Sequence, residues 1–273
     1  MSSRLSHRLA ELSEFFGTPL AARAGRTLKL TAAGERLARM AREHFVGIQA
    51  FRDGAKGVVP SFTIGAGDNL MQWLLVPAIG RIRRDRHNVR LTLCNLRTKP
   101  IVEGLKDRRF DFGIMRKDAL EKPLKNVEIC EQRYALFVPR RLVTSRLLNL
   151  KVALLGTPQA TIAGEGLLVE RLRDLAGILG GEFAPELICD SMGQCLAAVK
   201  SGAYAAVLPV QAWAGGVAQE CEVVEDQALE ALSRVLVLAW HPKTLEVRGD
   251  PAKKMLRLLS DALKKAAEDA LIG

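Results

Sequence analysis

Four histidines (His7, His44, His87, His241) and five cysteines (Cys94, Cys130, Cys189, Cys195, Cys221) are the side chains that could bind a transition metal or act as nucleophiles. Their spacing supports neither use. No histidine has a partner at ligand spacing and no cysteine pair reads CxxC. An odd cysteine count at irregular intervals also excludes a disulfide framework. Cys189 and Cys195 could form a redox pair, but buried inert thiols are the favoured reading. GxSxG, P-loop and HExxH motifs are missing, as is GxGxxG in a strand-turn-helix setting, so the chain reads as no enzyme and calls for no cofactor. The remaining chemistry is charge. The chain carries a formal +10, and residues 1–58 hold ten Lys/Arg against five Asp/Glu, a net +5 on about a fifth of its length. A basic segment of that kind suits a polyanion, although a solvated helix face would look similar.

The elements that would position those charges come next. Leu5, Leu9, Leu12 and Phe16 fall on one helical stripe, with Arg4, His7, Arg8 and Glu11 opposite. Gly17 and Thr18-Pro19 end that helix. "AARAGRTLKL" suits a hairpin turning at Gly25-Arg26. Thr31 is placed to cap a long helix, in which Leu37, Met40, Phe45, Ile48 and Phe51 make a second stripe with no partner in the sequence. "DGAKGVVPS" reads as a linker. Beyond it, "FTIGAG", "VRLTLCNL" and "FDFGIM" read as strands alternating with helices, an α/β pattern with a mostly parallel sheet. Asp68-Asn69 would cap the first of those helices, and Pro77 would begin a second segment of it. "NVEICEQRYALFVPRRL" is expected to cross over near Pro139. A second lobe begins near Asn149 with "LKVALLGT" as a strand. "RVLVLAWHP" returns the chain to the first lobe, and an amphipathic helix ends it.

Helix, wing hairpin, then a long helix opened by "LKLTAAGERL" resembles the winged helix-turn-helix of LysR-type transcriptional regulators. Ser6, Leu9, Leu12, Phe16, Gly17, Leu20, Arg23, Leu30, Thr31 and Gly34 fall in the family's register. Ser13 replaces a glutamate and Ala21 a phenylalanine, which is expected to weaken packing around the wing. Further on, "LKDRRFDFGIM" is similar to the family's effector domain, with Asp111 at its aspartate and Arg108 at its glycine. "VKSGAYAAVLP" is similar too, with Tyr204 in place of a glycine. The resemblance covers nearly the whole chain.

The resemblance implies an α/β chain. A partial winged helix-turn-helix and linker helix at 1–58 would precede a two-lobed, type 2 periplasmic-binding-protein-like effector domain at 59–273. Lobe 1 would take about 59–140 plus 235–273, and lobe 2 about 149–232. Ser3, Arg4, His7 and Arg8 would reach base edges in double-stranded DNA, while Arg23, Arg26 and Lys29 would meet phosphates. The family's two preceding helices fall before Met1, through a late start codon, a shortened chain or a decayed regulator. The alternative reading is therefore a ligand-binding or oligomerising descendant that no longer reads DNA. A small-molecule effector would sit in the interlobe cleft. Gly67, Asp68, Asn69, Arg97, Thr98 and Lys99 would face it from one lobe, and Thr157, Ser191 and Met192 from the other. An anion would suit the helix N-termini there, whereas Asp68 at the mouth opposes a strongly anionic one. The resemblance also implies a homodimer or homotetramer. With no secretory signal and no apolar run long enough for a bilayer, the expected location is the cytoplasm.

Overall fold

A computed structural model describes residues 3–24, 27–55, 58–85, 88–144, 148–163, 167–211 and 220–272. The N-terminal helix α1 (Ser3–Phe15) stops at Gly17, whose φ of 63° only glycine adopts without cost. Strands β1 (Ala21–Ala24) and β2 (Thr27–Leu30) then pair antiparallel as the wing. Thr31 caps α2 (Ala32–Ala55): its Oγ1 accepts from Gly34 N at 3.1 Å and donates to Pro19 O at 2.6 Å. Gly34 has to be glycine, because a Cβ there would lie 1.9 Å from the Leu20 carbonyl oxygen. Ser13 behaves otherwise than expected. Its Oγ donates to Leu9 O (2.7 Å) and accepts from Leu20 N (3.1 Å), so it ties α1 to the wing by hydrogen bonds where the family uses a larger side chain.

The first lobe is built on β3 (Ser61–Ala66), β4 (Arg90–Asn95), β5 (Phe112–Arg116) and β6 (Lys125–Gln132), completed by the late strand β12 (Arg234–Trp240). Their order is β4-β3-β5-β12-β6. β3 runs parallel to β4 and β5, but β12 runs antiparallel to both β5 and β6. The sheet is therefore mostly parallel in direction, with β3, β4, β5 and β6 pointing one way, and β12 alone runs against them because it arrives from the second lobe, at the opposite end from a βαβ crossover. One face is covered by a continuous helical run of α3 (Asp68–Leu70), a π-turn over Met71–Leu75 and α4 (Val76–Arg84), together with the last helix α9 (Pro242–Ile272). Leu74, Leu75, Ala78, Met255, Leu259 and Leu263 form that core against Ile64 and Phe112. Pro77 is the second residue of α4, directly after the π-turn, so the helical run continues past a nitrogen that cannot donate. Helix α5 (Thr98–Lys106) covers the other face through Ile101, Val102 and Leu105. Arg108 holds a φ of 55° just beyond it, the left-handed position for which the family keeps glycine.

Asp111 and Arg248 lock α9 to the sheet. Arg248 Nε lies 2.8 Å from Asp111 Oδ1, Thr63 N donates to Asp111 Oδ2 at 2.8 Å, and Arg248 also lies over the Phe62 ring. Burial pushes the Asp111 carboxyl above its ordinary range, and Arg248 and the Thr63 bond pull it back. Beside this contact α9 kinks at Gly249 (φ 61°) and Pro251.

The chain enters the second lobe at Arg133, between β6 and β7 (Tyr134–Pro139), earlier than the expected crossover near Pro139. There β10 (Ala206–Pro209) and β11 (Cys221–Val224) flank β7 antiparallel. A small parallel ladder joins β8 (Ala160–Ile162) and β9 (Leu187–Cys189). The segment from Leu150 is not a strand but helix α6 (Leu150–Gly156). Asn149 Oδ1 accepts from Val152 N at 2.9 Å, and the buried Leu150, Ala153 and Leu154 recur at helical spacing. α6 and α7 (Leu167–Ile178) cover one face of the sheet, and α8 (Met192–Lys200) covers the other. Gly202 takes the positive φ (73°) in the turn after α8, so Tyr204 fits without strain. Among the described residues, no helix is long and apolar enough to cross a membrane.

Candidate functional site

Strand β3 is buried to its end and emerges at Gly67, the N-cap of α3. No side chain caps this helix start, contrary to the role expected for Asp68-Asn69. The Asp68 carboxylate instead accepts from Gln72 Nε2 (3.1 Å) and Asn95 Nδ2 (3.5 Å). Across from it α8 opens at Ser191, which does act as an N-cap: its Oγ accepts from Gln194 N at 3.3 Å. The two helix starts meet at Gly193. A Cβ there would lie 3.3 Å from Gln72 Nε2 and 3.6 Å from Asp68 Oδ2, so the small residue sets how closely the lobes approach.

Along this seam lies a cavity of about 390 Å³, walled by Asn69, Gln72 and Trp73 from the first lobe and by Met192, Leu196 and Gln211 from the second. The surface is largely apolar, and Pro77, Leu208 and Pro209 extend it. Its volume is in the range of small-molecule sites.

The structure thus gathers Gly67, Asp68, Asn69, Ser191 and Met192 at one seam, with Asn69 and Met192 in the cavity wall. Arg97, Thr98 and Lys99 form the start of α5 at the same sheet edge but are not part of that wall. Thr157 is used within its own lobe, where Oγ1 donates to Ala153 O (2.7 Å) and accepts from Gln159 Nε2 (2.9 Å). Gln72, Trp73 and Gln211 were not anticipated. In "NLMQWLL" they read as one apolar helical run, and Gln211 follows a strand with no motif to mark it.

The crossing strands carry a second polar group. Tyr134 Oη donates to Gln132 Oε1 at 3.2 Å, beside Arg234 and the Arg116–Asp118 pair (3.5 Å). Burial raises the Tyr134 hydroxyl and lowers the Arg234 guanidinium from their usual values. A smaller hollow of about 240 Å³ lies alongside, bordered by Arg133, Tyr134 and Ser233 and by the acidic Glu225, Asp226 and Glu230.

Of the basic N-terminal residues, Arg8, Arg23 and Lys29 are exposed. Arg23 pairs with Leu28 and Lys29 with Ala22, so the two project from opposite faces of the wing. His7 Nδ1 lies 3.2 Å from Glu11 Oε1 on an exposed helix face. Arg26, with the Gly25 turn, and the side chains of Ser3 and Arg4 lie outside the described part. Cys189 and Cys195 are buried neighbours, and burial, then Cys189, pushes the Cys195 thiol up to about 12, the behaviour of an inert thiol. Among the described residues, no cluster of three or more His, Cys, Asp or Glu could hold a metal.

A family model described as the LysR substrate binding domain matches residues 55–264. Solved structures share the fold over nearly the full chain. A full-length OxyR variant from Pseudomonas aeruginosa is 16% identical with a TM-score of 0.70, covering 96% of this chain and 85% of that one. The full-length regulator LysG from Corynebacterium glutamicum, with bound effector Arg, is 19% identical with a TM-score of 0.65, covering 98% and 88%. Full-length CbnR in complex with its target DNA is 16% identical with a TM-score of 0.57, covering 95% and 89%. No curated protein sequence matches the chain significantly.

Proposed function

The chain belongs to the LysR-type regulator family, and from that premise we propose that it is a transcriptional regulator which binds promoter DNA through its winged N-terminal region and responds to a small-molecule effector held between its lobes. The observation that carries this reading is the seam cavity, because its wall is contributed by both lobes. A ligand there contacts each lobe at once, so it favours one lobe arrangement over another, which is the requirement for a ligand to shift an equilibrium. Related structures with a bound effector and with target DNA support the two kinds of partner.

In the DNA-bound state α1 lies in the major groove, with Ser3, Arg4, His7 and Arg8 toward base edges and Arg23, Arg26 and Lys29 toward phosphates. At the seam, Gly67, Asp68, Asn69, Ser191 and Met192 surround the effector, and Arg97, Thr98 and Lys99 lie beyond the wall. α2 supplies the dimer or tetramer contact. Met40, Phe45 and Ile48 are 53%, 65% and 62% exposed on it, an apolar stripe that a second copy would cover. No catalytic step is part of this reading, and the regulator works in the cytoplasm, where its DNA is.

A gel-shift of the full chain against DNA from upstream of its own gene tests the proposal. Retarded DNA, with affinity falling steeply between about 50 and 200 mM salt, supports it. No retardation, together with a melting temperature raised by small molecules, would mark an effector-binding protein that reads no DNA.

A further inference from the structure

One hydrogen bond fixes how the Gln72 amide is presented at the seam. Gln72 is an exposed residue of the cavity wall, and its Nε2 donates to Asp68 Oδ2 at 3.1 Å. An ionised carboxylate only accepts, so the amide nitrogen belongs on the Asp68 side and the carbonyl oxygen is left as an acceptor. These atoms stand where the lobes meet. A Cβ on Gly193, a wall residue of the second lobe, would lie 3.3 Å from Gln72 Nε2 and 3.6 Å from both Gln72 Oε1 and Asp68 Oδ2. Asp68 itself is half-buried, and its other partner is the Asn95 amide at 3.5 Å. Among the described residues its partners are thus two neutral amides, and no cation answers its charge.

One end of the cavity is therefore rich in acceptors and carries a full negative charge. A ligand head gains most there by bringing donors. A carboxylate head would be repelled by Asp68 and could not pair with Gln72 Oε1. The start of α8 adds a partial positive charge of about half a unit, less than the carboxylate's, so this end stays negative. Lys200 also lines the cavity, but it closes the far end of α8, about 10 Å from Gly193 by helix rise, and does not contest the head. The wall between is apolar, with Pro77, Met192, Leu196 and Leu208, and suits a ring or a short hydrocarbon body.

We propose that the seam cavity takes an amine: a protonated amino group on an apolar, ring-sized body, its ammonium held by Asp68 and Gln72 Oε1 and its body laid against the apolar wall. This assignment rests on the seam cavity being the effector site and adds the chemical class of the effector. The head is held from the first lobe, while Met192 and Leu196 meet the body from the second, so one amine engages both. It also reconciles the two opposed features of the seam, a helix start that suits an anion and an aspartate that repels one. The anion at the start of α8 is the protein's own carboxylate, and the ligand supplies the cation.

The test is calorimetric titration of the full chain at neutral pH with benzylamine, which is cationic, with benzyl alcohol, which keeps the body without the charge, and with benzoate, which is anionic. The expected order is benzylamine first, benzyl alcohol about fivefold weaker, and benzoate no better than the alcohol. D68N keeps the shape and one acceptor but loses the charge. It should shrink the preference for benzylamine over benzyl alcohol to under about twofold and leave benzyl alcohol binding unchanged. L196A should weaken benzylamine and benzyl alcohol alike, because it removes wall from the body and not from the head. Equal binding of benzylamine and benzyl alcohol, tighter binding of benzoate, no binding of benzylamine, an unchanged preference in D68N, or indifference to L196A would overturn the assignment. Should benzylamine bind with the expected preferences while DNA binding is missing, the assignment stands and the regulator reading fails. Retarded DNA without those preferences sinks the assignment alone.

Discussion

The N-terminal region and the twin-lobed body use apolar residues in opposite ways. In the body they close on one another: Phe112, Ile114, Leu136 and Leu238 have no exposed surface at all. In the N-terminal region Phe15 is 81% exposed, and Leu12, Phe16, Met40, Phe45 and Ile48 are all open. Each fully buried side chain of this size contributes about 1.5–3 kcal/mol, and these leave from under half to four-fifths of their surface unburied within one chain. What holds the wing is one buried apolar side chain, Leu20, and a short set of polar and backbone contacts through Ser13, Thr31 and Gly34. The contrast is one of packing: the body closes on its own core, while the N-terminal region leaves apolar surface open.

The largest test of that contrast uses one substitution in two places. Phe112→Ala should cost about 3–5 kcal/mol of global stability in urea unfolding, whereas Phe45→Ala should stay within about 0.5 kcal/mol in the monomer. Comparable losses at the two positions would erase the distinction. Gly34→Ala comes next. Its methyl meets the Leu20 carbonyl, and about 1–3 kcal/mol should be lost from the wing alone. Hydrogen exchange should then quicken at the Leu20 and Thr31 amides while body amides stay protected. Ser13→Ala removes two hydrogen bonds at the same junction and should cost about 1 kcal/mol there, again without moving the body's unfolding midpoint.

The smallest effect concerns pH. Burial first, then Arg108 and Lys243, hold His241 below the ordinary imidazole value of 6.5. Its Nδ1 accepts from Lys243 N at 3.2 Å at the start of α9, which requires the neutral ring. Because the folded value is depressed, the stability it supplies is complete above pH 6.5 and is lost as pH falls through the folded value. Melting of the body should therefore decline on acidification more in the wild-type chain than in His241→Gln. Parallel pH profiles would remove His241 from the account.

Much of this architecture could be read from residue patterns, and the exceptions have physical causes. The stripe of α1, the stop at Gly17 and the Thr31 cap are local signals, encoded within a turn or two. "LKVALLGT" misled because a short apolar run fits strand or helix alike, and only the Asn149 cap, three residues from its partner, separates them. The one reversed strand was hidden because β12 joins the sheet from across the second lobe, and strand direction is a property of the return path. At the seam, Asp68, Asn69 and Met192 could be placed by register, since they begin helices. Trp73 and Gln211 could not. Nothing in the sequence tells an indole in a helical run that it will wall a cavity, and that cavity exists only once both lobes are in place.

The contrast between an open N-terminal region and a closed body is tested most directly by the salt dependence of DNA binding, followed by fluorescence anisotropy on the full chain and two double variants. Arg23→Ala with Lys29→Ala should flatten the slope of log affinity against log salt by up to about 2, close to one per lost phosphate contact, while Arg97→Ala with Lys99→Ala should leave it unchanged. A slope that falls for the body pair, or that the N-terminal pair does not alter, would contradict the account.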